Sequence, residues 1–391
     1  MKYSFSIFLV LVFNLTILAQ NWTGVINQNW NNPNNWDTYT IPDSNNDVVI
    51  PSGTPNLPMI SDGIIANCAN LTIEAGATLT QNGTLFNTSN FNVYGNFYSE
   101  GTFTQTSAFA YFNFKGISAA NWNDENSDDT FMNVELAKSL LANTVTVNDD
   151  ITANRVVIDN GILQIAANKT LIITGDQALS LEIQSGGTLR LNSSQTIDVT
   201  GGVYFDDGSQ ADIIGGDIFC TKDFVVKPNA SYDIHLTGGT VNMTGSADQH
   251  IHDEDGGNLM LHHLNIDKPS GTCYLKYADL DLSGNLIISS GVFSCNNGPS
   301  ATSIFNINIE GWWSNYFGPS AFEESTGTVT FDGTAVNQYC FTENFYILEA
   351  NMNGGFFFPD GVVTCQYYNW TDGTIIVQDG ATLGFPHLHH G

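Results

Sequence analysis

The chain has 391 residues, and its 39 acidic residues against 10 basic ones give a formal net charge of −29 at pH 7. A charge of this size repels polyanions, which disfavours nucleic acids and anionic membrane surfaces as partners. Only 13% of the residues are charged, so the surface is expected to consist mainly of Asn, Thr, Ser and Gly, which are typical of tight turns.

Residues 1–19 form the first predicted element. Lys2 supplies a positive start, and an apolar run from Ile7 to Leu18 leads to the small residue Ala19. The pattern predicts a secretory signal peptide, because the run is shorter than the ~20 apolar residues of a membrane-spanning helix. No other run reaches that length, so we predict no membrane span and a secreted or cell-surface protein.

Residues 20–60 are predicted to form an N-terminal cap. The stretch from Asn21, NWTGVINQNWNNPNNW, is rich in Trp, Asn and Pro and lacks strand periodicity. We interpret Trp22, Trp30 and Trp36 as a plug over the exposed end of an apolar core, with a sugar-binding platform as the alternative. The segment DVVIP from Asp47 opens the first clear strand.

Residues 61–391 repeat one phrase: a short apolar strand, two polar residues, a glycine and another apolar strand. It occurs as LTIEAGATL from Leu71, VVIDNGIL from Val156, LEIQSGGTLRL from Leu181, LIISSGVF from Leu286 and IIVQDGATL from Ile375. Period-two alternation around one glycine indicates strand, turn and strand rather than helix. Recurrence along the chain indicates one unit stacked many times.

Neighbouring strand sets lie roughly 20–30 residues apart, which is the size of one rung, or turn, of a β-solenoid. At ~4.8 Å per rung, a mature chain of about 370 residues would form roughly 15 rungs and a rod ~70 Å long. The predicted fold is all-β: a single-stranded, right-handed parallel β-helix with the Trp/Asn/Pro-rich segment as its N-terminal cap.

A longer repeat lies over the short one. Three triplets each end a predicted strand: Phe114-Lys115-Gly116, Met243-Thr244-Gly245 and Phe331-Asp332-Gly333. An amide residue and an aromatic residue or histidine follow each triplet: Asn121-Trp122, Gln249-His250 and Gln338-Tyr339. The alignment predicts that these pairs occupy equivalent positions on different rungs.

Three motifs carry a resemblance to a known family. They are the WxxxxNW…P…DVVIP opening, the GNF…GTF phrase from Gly95 to Phe103, and the GTVTFDG…Q…F block from Gly327 to Phe345. The chain thereby resembles secreted cell-surface repeat proteins of the Bacteroidota, which implies a right-handed β-helix on an exported adhesin or surface-layer component. Such proteins usually end in a C-terminal sorting domain. This chain ends at Gly391 just after a strand phrase, so we expect a truncated fragment or another export route.

A histidine cluster is the sharpest candidate for a metal site. His250 and His252 share one face of a predicted strand, Asp253 follows, and His262 and His263 come about ten residues later. Imidazole and carboxylate ligands suit Zn²⁺ or another divalent transition metal. In the alternative that we favour, the histidines replace the bulky flat side chains of the longer repeat and bind no metal.

Acidic turns are candidates for Ca²⁺. They are Asp128-Asp129, Asp206-Asp207-Gly208 and the run from Asp253 to Gly257. Carboxylates and turn carbonyls suit Ca²⁺, but no run matches a dedicated Ca²⁺ loop, and Asp and Gly are common in solvated turns. We expect no cofactor beyond weak Ca²⁺ binding at one of these turns.

Aromatic residues that interrupt the strand pattern are candidates for glycan binding. They are Trp312, Trp313 and Tyr316 in one segment and Tyr367 and Trp370 in another. Exposed rings can stack on sugars, although loop aromatics more commonly fold back over rung edges. The leading interpretation is an adhesin or structural repeat protein whose partners are surface glycans or other cell-surface proteins.

A β-helical polysaccharide lyase or glycoside hydrolase is the alternative. A hydrolase needs two carboxylates ~5–9.5 Å apart, and adjacent residues such as Asp206 and Asp207 face opposite sides of a strand. A lyase needs a basic residue, for which Arg190, Lys222 and Lys227 are the mid-rod options. No catalytic sequence motif occurs, so we predict that the chain is not an enzyme.

Export permits disulfide bonds among the six cysteines. Cys273 and Cys295 are 22 residues apart, and Cys340 and Cys365 are 25 apart, which is about one rung. Residues one rung apart have Cα atoms ~4.8 Å apart, within the range that a disulfide tolerates. We therefore predict these two disulfides and leave Cys68 as a buried thiol, together with Cys220.

Overall fold

The computed structural model describes residues 19–227, 234, 236–254, 257–298, 303–334, 336–385 and 387–388. The predicted signal peptide lies outside the described residues except for Ala19. Asp255 and Gly256 of the third predicted acidic turn also lie outside them.

The chain folds as a parallel β-solenoid of about 15 turns and is about 2% helical. This confirms the fold class predicted from the repeated glycine phrase. The helical residues in the described ranges are two short 3₁₀ turns, Pro33–Asn35 and Pro319–Ala321. No helix in the described part of the chain is long and apolar enough to cross a membrane.

The strands follow one another in chain order around the solenoid. The first third of the chain contains Gln20–Asn21, Val48–Ile50, Met59–Ile60, Ile65–Cys68, Leu71–Ile73, Thr78–Gln81, Ser89–Val93, Phe97–Ser99, Thr102–Gln105, Ala110–Phe114 and Ala120–Asp124. The middle contains Val134–Ala137, Thr144–Val147, Ile151–Ala153, Val156–Ile165, Thr170–Ile173, Leu181–Ile183, Gly187–Leu191, Thr196–Val199, Val203–Phe205, Gln210–Cys220, Phe224–Val226, Gly238–Met243 and Gln249–Asp253. The last third contains Asn258–Leu261, His263–Lys276, Asp279–Leu282, Leu286–Ser294, Ile307–Ile309, Trp313–Asn315, Phe322–Glu323, Thr328–Phe331, Asn337–Cys340, Glu343–Pro359, Val362–Ile375, Thr382–Gly384 and His387–Leu388.

The glycine of the repeated phrase turns a corner inside a long strand. In Val156–Ile165 the part before Gly161 pairs with Leu181–Ile183, and the part after it pairs with Gly187–Leu191. Gly161 has φ of 98°, and an added Cβ would lie 2.8 Å from the Asn143 carbonyl oxygen. Only glycine fits such a corner without strain.

Inward-facing side chains stack on their counterparts one rung away. One column runs from Val48 through Leu71, Phe97 and Trp122. All four are buried, and each buried side chain of this size stabilises the fold by about 1.5–3 kcal/mol. Columns of this kind form one hydrophobic core along the described rod.

The N-terminal tryptophans form a buried plug. Trp22, Trp30 and Trp36 are at most 1% exposed. Trp36 contacts the other two rings edge-on at 5.0 and 4.8 Å, and Trp30 packs against Phe91 at 5.3 Å. The rings therefore cover the end of the core, as predicted, and offer no sugar platform.

The rung length varies, and this corrects the two predicted disulfides. Cys273 faces Phe293, and Cys340 faces Pro359. Cys295 and Cys365 therefore lie two and six positions beyond the residues opposite Cys273 and Cys340. All six cysteines are buried free thiols, Cys68 and Cys220 included.

Candidate functional sites

Six partly exposed aromatic rings on neighbouring strands form a surface feature that is here called the aromatic patch. Its members are Trp312, Tyr316, Tyr339, Phe341, Phe356 and Phe358. Trp313 faces Cys340, which faces Pro359. The preceding residues, Trp312, Tyr339 and Phe358, therefore follow one another on three successive rungs.

The ring contacts of the patch form two groups, one from Trp312 to Phe356 and one between Tyr316 and Phe341. Trp312 lies 5.1 Å from Tyr339 at an interplanar angle of 73°, and Tyr339 stacks on Phe358 at 5.0 Å and 16°. Tyr316 lies 6.1 Å from Phe341. Trp312 and Tyr316 are 45% and 71% exposed, so these two rings offer the largest surfaces to a ligand.

The structure separates the predicted glycan-binding residues. Trp312 and Tyr316 lie in the patch, but Trp313 is fully buried and packs 4.6 Å from Phe322, so it cannot bind a glycan. Tyr367 is half-buried and 5.3 Å from Tyr346. Trp370 is exposed, and its Nε1 donates to the Gly373 carbonyl oxygen.

Four polar residues form a second surface feature, here called the acidic groove. Leu261, Leu282, Ile309 and Phe331 face one another on four successive rungs. The next residue on each rung is polar, and the four are His262, Ser283, Glu310 and Asp332. They line a surface cavity of about 560 Å³.

The electrostatics of the acidic groove suit proton transfer. Burial, Glu310 and Asp281 raise the pKa of Asp332 to about 6, and its buried Oδ1 has no hydrogen-bond partner. The His262 Nδ1 lies 2.9 Å from the Ser283 Oγ. A carboxyl group with a raised pKa beside a second carboxylate is typical of general acid–base sites.

The predicted histidine metal site does not assemble. The His250 ring lies 3.4 Å from Asp223 and 5.7 Å from Tyr274, whereas His262 and His263 lie on a later rung. The His263 Nδ1 accepts a hydrogen bond from the Asn285 N–H at 2.7 Å.

A neighbouring positive charge works against metal binding at His252. This side chain is 5% exposed, and burial lowers its pKa to about 4. Lys276 faces it on the next rung and lowers the pKa further. The buried Asp253 follows His252 on the same strand. In the described ranges, the one place where three metal-ligating side chains converge lies elsewhere and includes none of these residues.

The basic residues named for a lyase each form a separate ion pair. Arg190 pairs with Asp212 at 2.6 Å, and Lys222 pairs with Asp176 at 2.8 Å. Lys227 lies 3.9 Å from Asp206. Such exposed pairs contribute ~0–1 kcal/mol to stability. The structure does not bring these residues together into one cleft.

Three carboxylates do converge, and we call them the acidic triad. They are Asp124, Asp128 and Asp129, whose nearest oxygens all lie within 4.8 Å of one another. Burial raises the pKa of Asp129 to about 8 and also raises the pKa of Asp124. The predicted acidic turn at Asp128-Asp129 is therefore part of this group, whereas Asp206-Asp207 is not.

A family model described as a domain of unknown function (DUF8693) matches residues 21–107. No curated protein and no solved structure matches the chain. The matched segment contains the tryptophan plug and the first rungs. The acidic triad, the acidic groove and the aromatic patch all lie beyond it.

Asp124 and Glu310 were not identified as site residues from the sequence. Asp332 was named only as part of a triplet that ends a strand. A signal for Asp124 was present, because Ala120, Trp122 and Asp124 alternate inward along one strand. Glu310 and Asp332 each directly follow the last inward-facing residue of a strand. Whether they meet on adjacent rungs depends on the number of residues in each rung, which the sequence pattern does not reveal.

Proposed function

We propose that the chain is an exported adhesin or structural repeat protein of the cell surface that binds glycans through the aromatic patch. The observation that carries the proposal is the alignment of Trp312, Tyr339 and Phe358 on successive rungs. The motifs that resemble Bacteroidota surface repeat proteins and the signal-peptide pattern support export.

The chemistry of the patch favours an uncharged glycan. Aromatic rings stack on the apolar faces of sugars and combine a large contact area with a polar edge in Trp and Tyr. Contiguous exposed apolar surface typically marks an interaction site. The net charge of −29 repels acidic polysaccharides, so a neutral polysaccharide is the expected class.

Binding of neutral polysaccharides by the purified chain tests this proposal. We expect Trp312→Ala and Tyr316→Ala to weaken binding by ~10-fold or more each, equivalent to ~1.4 kcal/mol. Trp370→Ala is the matched control, because Trp370 is as exposed but lies on a later strand. Equal affinity of the patch variants and the parent would reject the patch as the binding site.

Export is tested separately from binding. We expect the mature protein to begin near Gln20 and to be labelled by an antibody on intact cells of the source organism. N-terminal sequencing of the surface-associated protein measures this. Retention of Met1 in a cytoplasmic fraction would exclude the surface role and leave glycan binding to be judged independently.

Glycoside hydrolysis in the acidic groove is the second candidate. Glu310 and Asp332 lie on adjacent rungs, whose backbones are ~4.8 Å apart, and retaining hydrolases place their carboxyl groups ~5–5.5 Å apart. Only Gly311 separates Glu310 from Trp312 in the chain. A glycan on the aromatic patch would thus extend beside the groove.

Release of reducing sugar from a bound polysaccharide separates the two candidates. If the groove is catalytic, Glu310→Gln and Asp332→Asn abolish release and leave binding unchanged, whereas Trp312→Ala weakens binding. If the parent chain binds a polysaccharide without cleaving it, the enzymatic candidate is rejected and the binding function stands.

A further inference from the structure

The acidic triad lies where a hydrophobic column becomes polar. Ile73 faces Ser99, and Ser99 faces Asp124 at the end of the strand Ala120–Asp124. A short loop then leads to Asp128 and Asp129. Asp124 and Asp129 are only 2% and 6% exposed, whereas Asp128 is exposed.

Hydrogen bonds hold the triad from two sides. The Asp129 Oδ1 accepts from the Phe103 N–H at 2.5 Å and from the Ser99 Oγ at 3.2 Å. The Asp124 Oδ2 accepts from the Asp129 N–H at 3.2 Å. The Asp128 Oδ2 accepts from the Thr102 Oγ1 at 3.0 Å. All of these donors are uncharged, so the bonds orient the carboxylates but do not neutralise their negative charge.

Two buried oxygens of the triad are left without a partner. They are the Asp124 Oδ1 and the Asp129 Oδ2. None of the ion pairs found in the described residues involves any member of the triad. Burying unpaired carboxylates is costly, and such groups usually bind a cation or carry a proton.

We infer that the acidic triad is a Ca²⁺ site. Three carboxylates supply only oxygen ligands, which select hard cations. Ca²⁺–O distances of ~2.3–2.6 Å allow ligand oxygens up to ~5 Å apart across the ion, which accommodates the triad. Mg²⁺ usually takes one or two carboxylates in a tighter octahedron. The exposed Asp128 gives the ion a path from solvent.

The bound ion would fasten the loop between Asp124 and Asp129. Ser127 in this loop has φ of 56°, a left-handed conformation that is uncommon for a residue with a side chain. Asp124 and Asp129 are anchored to the rung of Ser99 and Phe103. The ion therefore ties the loop to its neighbouring rung, and Ca²⁺ raises the melting temperature.

Calorimetric titration of the EDTA-treated chain with CaCl₂ tests the site. We expect one ion per chain, a higher melting temperature in Ca²⁺ than in EDTA, and little response to Mg²⁺ at the same concentration. Tb³⁺ provides a second measurement on the unaltered chain. Trp122 lies two residues before Asp124, so Tb³⁺ in the site should show Trp-sensitised luminescence that Ca²⁺ displaces.

Two variants identify the ligands. Asp124→Asn and Asp129→Asn keep the side-chain shape and should weaken Ca²⁺ binding by ~10-fold or more. In EDTA, Asp129→Asn should be at least as stable as the parent, because the uncharged amide keeps an oxygen that can accept from the Phe103 N–H. Asp206→Asn is the control and should bind Ca²⁺ like the parent.

Three results would overturn the inference. One is no saturable binding up to about 10 mM Ca²⁺, which exceeds the affinity range of extracellular Ca²⁺ modules. Another is unchanged binding in both triad variants. The third is equal binding of Mg²⁺ and Ca²⁺, which would contradict the assignment to Ca²⁺. If a variant fails to fold by circular dichroism, Tb³⁺ luminescence of the parent decides: no Ca²⁺-displaceable signal rejects the site.

Discussion

Gln249 and Gln338 make the same three hydrogen bonds on different rungs of the solenoid. The Nε2 of Gln249 donates to the carbonyl oxygens of Cys220 and Lys222 on the preceding rung, and its Oε1 accepts from the Gly245 N–H. The Nε2 of Gln338 donates to Ile309 and Gly311, and its Oε1 accepts from Gly333. Each amide thus satisfies buried backbone groups at a corner.

Replacing either glutamine by leucine should destabilise the solenoid. The substitution removes the acceptor of one N–H and the side-chain donor to two carbonyl oxygens at a position that is 0% exposed. Of these oxygens, those of Ile309 and Cys220 keep a backbone hydrogen bond, from Asp332 and Thr244 respectively. We expect the free energy of unfolding to fall by ~2–3 kcal/mol for Gln338→Leu, measured by denaturant unfolding. Gln210→Leu, at an exposed position, should change it by less than ~0.5 kcal/mol. Equal effects of Gln338→Leu and Gln210→Leu would contradict a stabilising role for the Gln338 hydrogen bonds.

Alternation along single strands was sufficient to predict the repeated fold. The phrases from Leu71, Val156 and Leu286 all begin strands in the structure, because period-two patterning decides directly which side chains face the core. Gln249 and Gln338 occupy equivalent positions, as the longer repeat predicts. Asn121-Trp122 is shifted by one residue relative to them, because Trp122 faces the core and Asn121 faces solvent, and a one-residue shift exchanges the two faces.

Sites built from several rungs could not be predicted in the same way. Trp313 faces Cys340 after 27 residues, whereas Cys340 faces Pro359 after only 19. Corner lengths of this kind decide which residues meet, and side-chain alternation carries no information about them. The alignment of Glu310 with Asp332 and the separation of Cys340 from Cys365 both follow from these lengths.

Glu343 should make stability depend on pH. Its buried carboxyl accepts from the Trp313 Nε1 at 3.1 Å and the Asn315 Nδ2 at 2.7 Å. Burial nevertheless raises its pKa to about 7 from the usual 4.5. The folded state therefore holds this proton more tightly than the unfolded state. The contribution of Glu343 to stability is present below pH 4.5 and is lost as the pH rises to about 7.

Glu343→Gln measures that contribution. The free energy of unfolding of the parent, relative to the variant, should fall by about 3 kcal/mol between pH 4.5 and 7. Denaturant unfolding at several pH values gives the difference, and Glu349→Gln at a partly exposed position serves as control. A difference that does not vary with pH would show that Glu343 ionises normally.

The cysteines should react only after unfolding. Burial raises the pKa of the Cys273 and Cys295 thiols, and Cys340 is likewise 0% exposed. We expect little alkylation of the native chain by iodoacetamide and six alkylated cysteines after denaturation without reductant, counted by mass spectrometry. In the structure Cys273 faces Phe293, 20 residues later. A disulfide-linked pair of peptides containing Cys273 and Cys295 would mean that facing residues on these two rungs are 22 residues apart instead.

Two buried lysines differ in how many acceptors surround them. Lys138 is 2% exposed, and its Nζ donates to the Lys115 carbonyl oxygen. Lys268 is 1% exposed, and its Nζ donates to the carbonyl oxygens of Gly245 and Ala247 and to the Gln249 Oε1. Burial lowers the pKa of Lys138 to about 8 and also lowers that of Lys268.

Substitution by methionine should therefore affect the two positions differently. Lys268→Met leaves three acceptors without this donor and should lower the free energy of unfolding by ~2–3 kcal/mol at pH 7. Lys138→Met loses one hydrogen bond but removes a poorly compensated buried charge, so the change should stay within ~1 kcal/mol. Between pH 8 and about 10.5 the folded chain has released the Lys138 proton and the unfolded chain has not. Stability of the parent should consequently rise with pH in that window, and Lys138→Met should remove this rise. A larger loss at Lys138 than at Lys268 would contradict the acceptor geometry.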